Sequence, residues 1–203
     1  MRILAFSDLH HSRARAGVLV EAAEQADLVV GAGDFCNMRK DLDAALALLA
    51  GITAPFVVVP GNAESVTELE HAALPNMRVL HGASLEIVGL KIFGLGYGVP
   101  ETPFGTWSCD LSEAQAAAML TAFTDADVLI THSPPKGVAD VTSMGQSVGS
   151  TAIRNAITQN QPRLALCGHI HDSWGAEGRI GETHVVNLGP KPNWFEFQGP
   201  DRE

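Results

Sequence analysis

The sequence predicts an α/β fold, on two observations. Through its first third, short apolar runs alternate with segments of helical spacing. The runs are also continuous, as in Phe56-Val57-Val58-Val59, where a half-exposed strand would alternate apolar and polar residues. Continuous runs belong to strands covered on both faces, and strand–helix alternation implies parallel pairing through crossover helices. With 203 residues and 46% hydrophobic content, one domain spanning 1–203 is the expectation. Such a chain buries roughly 70% of its extended surface.

Arg2–Phe6 reads as the first strand, ended by Ser7-Asp8. A helix over Arg15–Gln25 leads to a second strand, Asp27–Gly31, ending in Ala32-Gly33-Asp34. Leu42, Leu46 and Leu49 stand at helical spacing and predict a helix over Leu42–Leu49, with Gly51 placed to stop it. Phe56–Val59 is the third strand; Pro60-Gly61 breaks it and Asn62 follows at once. Glu64–Ala73 is a third helix. Met77–Leu80, Ser84–Val88 and Lys91–Gly94 read as short strands, with a hairpin at Val88-Gly89-Leu90-Lys91. Gly94–Cys109 is a long loop holding Tyr97, Phe104 and Trp107, a length at which loops often carry function.

Ser112 caps a helix that runs to about Phe123. Asp127–Thr131 is a strand ending in His132-Ser133-Pro134-Pro135, and a Gly/Ser-rich loop then runs to about Gly149. The helix Thr151–Thr158 precedes the strand Leu164–Cys167, which ends in Gly168-His169-Ile170-His171. The remainder reads as a meander of Ser173–Ala176, Thr183–Leu188 and Trp194–Phe197.

The formal net charge of -10 argues against an extended nucleic-acid partner, which needs a basic face. The three cysteines, Cys36, Cys109 and Cys167, are odd in number and irregularly spaced, which fits reduced thiols in a cytoplasmic protein. The N-terminal apolar run is too short and polar for a signal peptide, and no run reaches the roughly 18–20 apolar residues of a membrane span. The oligomeric state is left open, a homodimer included.

The chemistry stands just behind the strands: Asp8 and His10, Asp34, Asn62, His132, then His169 and His171. Each alone has an ordinary reading. Asp8 suits a turn or N-cap, Gly33-Asp34 is a common turn pair, and Asn62 can cap the helix that follows. Together they are metal-ligand types at the carboxyl ends of strands, where α/β sheets gather their ligands. If the backbone is extended at Asp8–His10 and His169–His171, each pair points to one side. Seven ligands exceed one tetrahedral zinc and suit two divalent cations sharing a carboxylate. Nitrogen and oxygen donors without thiolate suit Mn, Fe, Zn, Co or Ni. Two cations against two Asp favour an anionic substrate, acidify a bound water and fit in-line attack on phosphorus.

This order resembles the calcineurin-like metallophosphoesterase superfamily, whose pattern is D-x-H, G-D, G-N-H-D/E, a His, then G-H-x-H. Here these read Asp8-Leu9-His10, Gly33-Asp34, Gly61-Asn62-Ala63-Glu64, His132 and Gly168-His169-Ile170-His171. The resemblance implies a four-layer αββα sandwich of two mixed sheets flanked by helices. It implies one metal at Asp8, His10, Asp34 and His171 and a second at Asp34, Asn62, His132 and His169, with Asp34 bridging and Mn favoured. Thr131-His132-Ser133-Pro134-Pro135 further resembles the brain-enriched "239" branch, associated with phosphodiesterase chemistry and nucleotide binding.

One position departs from the family pattern. Ala63 stands where the family carries the His that helps protonate the leaving oxygen, a contribution typically of about 10²- to 10⁴-fold. The expectation is a phosphodiesterase of nucleotide-like or other small phosphodiesters with weakened leaving-group protonation. The alternative is a nucleotide-binding sensor that keeps its metals and turns over little. His11 is the nearest substitute acid in sequence; His71, His81 and His184 are remote. Tyr97, Phe104 and Trp107 either wall a nucleobase or pin their loop to the core. Lys136 is either a phosphate contact or a solvated lysine.

Overall fold

The structure, a computed structural model, describes residues 1–197. Two mixed sheets pack face to face, with helices on both outer surfaces. The first sheet is built from β1 (Arg2–Phe6), β2 (Leu28–Gly31), β3 (Phe56–Val58) and β4 (Met77–Val79), all parallel, with β11 (Asn193–Glu196) antiparallel along β1. The second holds β5 (Ala83–Ile87), β6 (Leu90–Leu95), β7 (Val128–Thr131), β8 (Leu164–Cys167), β10 (Thr183–Asn187) and β9 (Glu177–Ile180), in that spatial order. β6, β7, β8 and β10 are parallel, and both edge strands are antiparallel.

The continuous apolar runs have the predicted cause. In β3, Phe56 and Val58 face the helices α1 (Arg13–Ala23), α2 (Leu42–Ala47) and α3 (Val66–Ala72), packing with Leu19, Leu46 and Leu69. Val57 and Val59 face the second sheet and meet a core that includes Ile92, Ile130 and Leu166. On the far side, Phe93, Leu129 and Val185 pack under α4 (Glu113–Leu120) and α5 (Thr151–Asn160). β2, β3, β7 and β8 are therefore covered on both faces, which gives the four-layer αββα arrangement.

The Val88-Gly89 hairpin forms as a two-residue turn with both φ positive, at 46° and 78°, between the paired residues Ile87 and Leu90. Ser112 caps α4 through a capping box with Gln115. Two expectations are corrected. Ser173–Ala176 is not a strand: His171–Ser173 is a short 3-10 turn held by Ser173 N–H to Ile170 O, and β9 begins at Glu177. The C-terminal segment is not a meander either, because β11 leaves the second sheet and pairs with β1 in the first. Among the described residues no helix is long and apolar enough to cross a membrane.

Candidate metal centre

The carboxyl ends of β1, β2 and β3 in one sheet and of β7 and β8 in the other open on the same edge, and all seven sequence-predicted ligands lie there. Asp8, His10 and His171 present ligand atoms within 4.8 Å of one another, as do Asp8, Asp34 and His132. His10 Nε2 is 3.2 Å from His171 Nε2 and 3.6 Å from Asp34 Oδ2. His171 Nε2 is 3.6 Å from Asp8 Oδ1. His132 Nε2 is 3.4 Å from Asp34 Oδ1 and 3.2 Å from Asn62 Oδ1. The His169 ring stacks edgewise on His132, centroids 4.8 Å apart. Asp34 thus turns one oxygen toward His10 and the other toward His132. Asp8 reaches both groups, although the family resemblance allots it to one.

The convergence does not come from extended backbone. Asp8, His10, Asp34 and His169 have φ of 54°, 46°, 58° and 67°, in the left-handed region that non-glycine residues seldom enter. The chain kinks behind β1, β2 and β8 to aim these side chains inward, a strain typical of functional sites. The motif glycines have a steric reason. A β-carbon at Gly61 would collide with the Asp34 carboxylate, and one at Gly168 would lie 2.5 Å from Asp8 Oδ2.

A second layer of bonds fixes the cage. His10 Nδ1 lies 3.0 Å from Cys36 O and His132 Nδ1 2.8 Å from Ala32 O, so each ring gives its Nδ1 to a carbonyl and leaves Nε2 facing the centre. Asp8 accepts from the Ser7 hydroxyl, His169 N–H and Trp174 Nε1, the last at 3.1 Å. Asp34 Oδ1 accepts from Ala63 N–H at 2.8 Å.

Glu64 is fully buried and accepts from the N–H groups of Asp34, Phe35, Cys36 and Gly61, clamping the β2 and β3 ends together. Sequence reasoning quoted this residue within its motif and missed that role. It also missed Asn187, whose Nδ2 donates to Gly168 O and Ile170 O on either side of His169. For Asn187 the signal was a polar residue inside the apolar run Val185-Val186-Asn187-Leu188.

Electrostatics suit a cation. Burial pushes the Asp34 carboxyl up, but His132 outweighs it and holds Asp34 well below the usual carboxylate range. Burial likewise opposes ionisation of Asp8, and His171 and His132 overcome it. Burial disfavours the His132 imidazolium, yet Asp34 raises its pKa to about 9. Burial and the neighbouring His132 push His169 down to about 4. Burial and the Asp34 charge lift Glu64 to about 7. The carboxylates demand positive charge, and the imidazoles cannot all supply it as protons. Donors bound to one cation at about 2.1 Å stand roughly 3.0–3.5 Å apart, close to the 3.2–3.6 Å separations found here. The donor set therefore fits two divalent cations.

The other sequence candidates divide between the cleft and positions away from it. His11 Nε2 is 2.9 Å from Lys40 O. Tyr97 is pinned by Val66 N–H to its hydroxyl and stacks on His81, so it walls no substrate. Phe104 and Trp107 stack in parallel, centroids 5.8 Å apart, and line a cleft of about 290 Å³ with His10, Asp34, Asn62, His169 and His171. Lys136 Nζ donates to Ser147 O.

Helix-flanked paired sheets with an imidazole–carboxylate cage across their shared edge define a layered α/β protein with a candidate two-metal centre. The chain belongs to the calcineurin-like phosphoesterase family, whose profile matches residues 1–173. It is 35% identical over 135 residues to Metallophosphoesterase domain-containing protein 1 of Homo sapiens, a match covering 63% of this chain and 38% of that protein. The match thus spans well under half the length of the curated relative. Among solved structures, TT1561 of Thermus thermophilus superposes with a TM-score of 0.75 at 21% identity, covering 93% of this chain and 88% of the other. An archaeal phosphodiesterase gives a TM-score of 0.54 at 16% identity, covering 93% and 84%. At these identities the structures establish the fold.

Proposed function

We propose that the protein hydrolyses small phosphodiesters, with two divalent cations, Mn²⁺ favoured, held by Asp8, His10, Asp34, Asn62, His132, His169 and His171. The observation that carries this is Asp34, whose two oxygens face separate imidazole groups on the two sheets. Two such cations supply Lewis-acid polarisation of the phosphoester and a water acidified to near neutrality. Asp34 and Asp8 neutralise part of that charge and leave an excess for an anionic substrate. Asn62 is fixed by its Nδ2 donating to Ser108 Oγ at 3.0 Å, which keeps Oδ1 turned to the centre. Phe104 and Trp107 shield one side of the cleft from water. The phosphodiesterase named among the structural neighbours supports the diester reading. The three free cysteines agree with a cytoplasmic location.

Ala63 sets the limit on leaving groups. It is buried, and its N–H is committed to Asp34. None of His11, His71, His81 and His184 lines the cleft, so leaving-group protonation falls to solvent. Good leaving groups are favoured. The same fact supports a second reading, a nucleotide-binding sensor with retained metals and little turnover.

The test is a panel of an aryl phosphomonoester, an aryl phosphodiester, an alkyl phosphodiester and a cyclic nucleotide, with Mn-loaded wild type and Ala63→His. The aryl diester should be the best wild-type substrate. Ala63→His should raise the alkyl diester rate toward the roughly 10²-fold or more that general acid catalysis contributes. Stoichiometric metal and nucleotide binding without hydrolysis of any ester would establish the sensor instead.

A further inference from the structure

The cleft over the candidate ligands adjoins a larger space. A pocket of about 570 Å³ lies between the 99–104 stretch and the 142–151 stretch, within the range of small-molecule sites. His169 and Phe104 line both spaces, so the pocket adjoins the metal cleft. We propose that it receives one ester arm of the substrate and selects an uncharged apolar arm, aryl or branched alkyl, over a nucleoside. This rests on the phosphoesterase reading of the adjoining centre.

The walls carry the argument. Val99, Pro100, Pro103, Phe104, Val148 and Ile170 supply apolar surface. Most of the polar side chains among them are already engaged, while Glu101 and Thr151 stay exposed to solvent. Lys136 Nζ donates to Ser147 O. The Glu113 carboxylate accepts from Ser150 Oγ, Thr151 N–H and Ala152 N–H at the start of α5. Ser147 Oγ donates to Asp140 Oδ2, and Thr102 Oγ1 to Asp110 Oδ2. A nucleobase entering here would leave water with its donors and acceptors and find few free partners. An anionic arm would meet Glu113 and Glu101, while the cation of the wall is held by a carbonyl. An apolar arm forfeits nothing and gains roughly fourfold in affinity per methylene buried.

Product monoesters separate the possibilities without requiring turnover. The Mn-loaded full chain is titrated calorimetrically with inorganic phosphate, methyl phosphate, 1-naphthyl phosphate and adenosine monophosphate. Naphthyl phosphate should bind about tenfold or more tighter than both methyl phosphate and the nucleotide. The naphthyl-to-methyl ratio should collapse in Val148→Trp, which fills the pocket. It should also fall in Phe104→Ser, a change at a half-exposed position that the fold tolerates. Equal affinities across the series, or the nucleotide binding tightest, would overturn the apolar-arm assignment and leave the phosphoesterase reading standing. Failure of even inorganic phosphate to bind would remove that reading, and the pocket's role with it.

Discussion

Asn187 touches no candidate metal, yet it holds the loop that carries two of the ligands. It is fully buried at the end of β10, and its Nδ2 lies 3.1 Å from Gly168 O, 3.2 Å from Ile170 O and 3.1 Å from Ala139 O. Those of Gly168 and Ile170 flank His169, and Ile170 precedes His171. Replacing Asn187 by Leu keeps the branching and heavy-atom count of the side chain and removes the strut. Mn²⁺ affinity should then fall about 10- to 100-fold, as for other residues that orient metal ligands. Calorimetric titration reads this, with circular dichroism confirming an intact fold; an unchanged affinity would sink the assignment. The seven candidate ligands were legible because each stands just behind an apolar run. Asn187 was not, because its partners are backbone carbonyls and its own neighbours in sequence are strand residues. Glu64 escaped for the same reason: most of the groups it binds are N–H donors some thirty residues away. The aim of the ligands was also misjudged. Extended backbone was the simplest way to point Asp8 and His10 together, but the structure uses left-handed kinks instead.

α3 shows how one element holds a site loop in place. Ser65 and Glu68 form a capping box at its start, with Glu68 Oε2 accepting from Ser65 N–H and Ser65 Oγ accepting from Glu68 N–H. Glu68 also takes a forked contact from Arg39 Nε and Nη2, and Arg39 N–H donates to Ala63 O. The helix is thereby tied to the 36–41 loop and to the residue beside Asn62. The Arg39 guanidinium holds Glu68 down to about 2. A carboxylate whose folded pKa lies below its unfolded value stabilises the fold above the unfolded value, here 4.5, and loses that contribution as pH falls toward 2. Wild type should therefore melt above Glu68→Gln at pH 6, and the gap should close between about pH 5 and pH 2. The gap is small, about 1 kcal/mol or less, because the pair is exposed. A gap independent of pH would show that the charge plays no part. Elements of this kind were readable from local signals, since caps and two-residue turns lie within a few residues of one another. The segment after His171 was not. Its conformation is decided by distant bonds, Trp174 Nε1 to Asp8 and Ser173 Oγ to Val141 O, that no local pattern encodes.

At the scale of the molecule, the candidate ligands divide between the two sheets. Asp8, His10, Asp34 and Asn62 follow strands of the first sheet, and His132, His169 and His171 follow strands of the second. Cations at this edge would bind the sheets together where the interior core ends. The alternation of strands and helices made the α/β class legible, and the motif order pointed to a sandwich. The return of β11 to β1 was not legible, because pairing Leu4 with Trp194 depends on the whole intervening chain. The sheets also hold together without metal. Ile3, Val30, Val57, Ile92, Ile130 and Leu166 share one buried cluster, and Ser7 N–H donates to Gly189 O across the edge. A metal-free protein should therefore stay folded and be less stable. Binding to the folded state alone adds about 2.7 kcal/mol at a hundredfold excess over Kd, and each kcal/mol moves the midpoint by about 2–4 °C in a chain of this size. Saturating Mn²⁺ should raise Tm by about 5–10 °C per site, and a chelator should reverse it. Acidification below the histidine range should abolish the rise, because ligating imidazoles must be neutral. A melting temperature indifferent to Mn²⁺ at neutral pH would mean that these seven side chains do not hold a metal across the sheets.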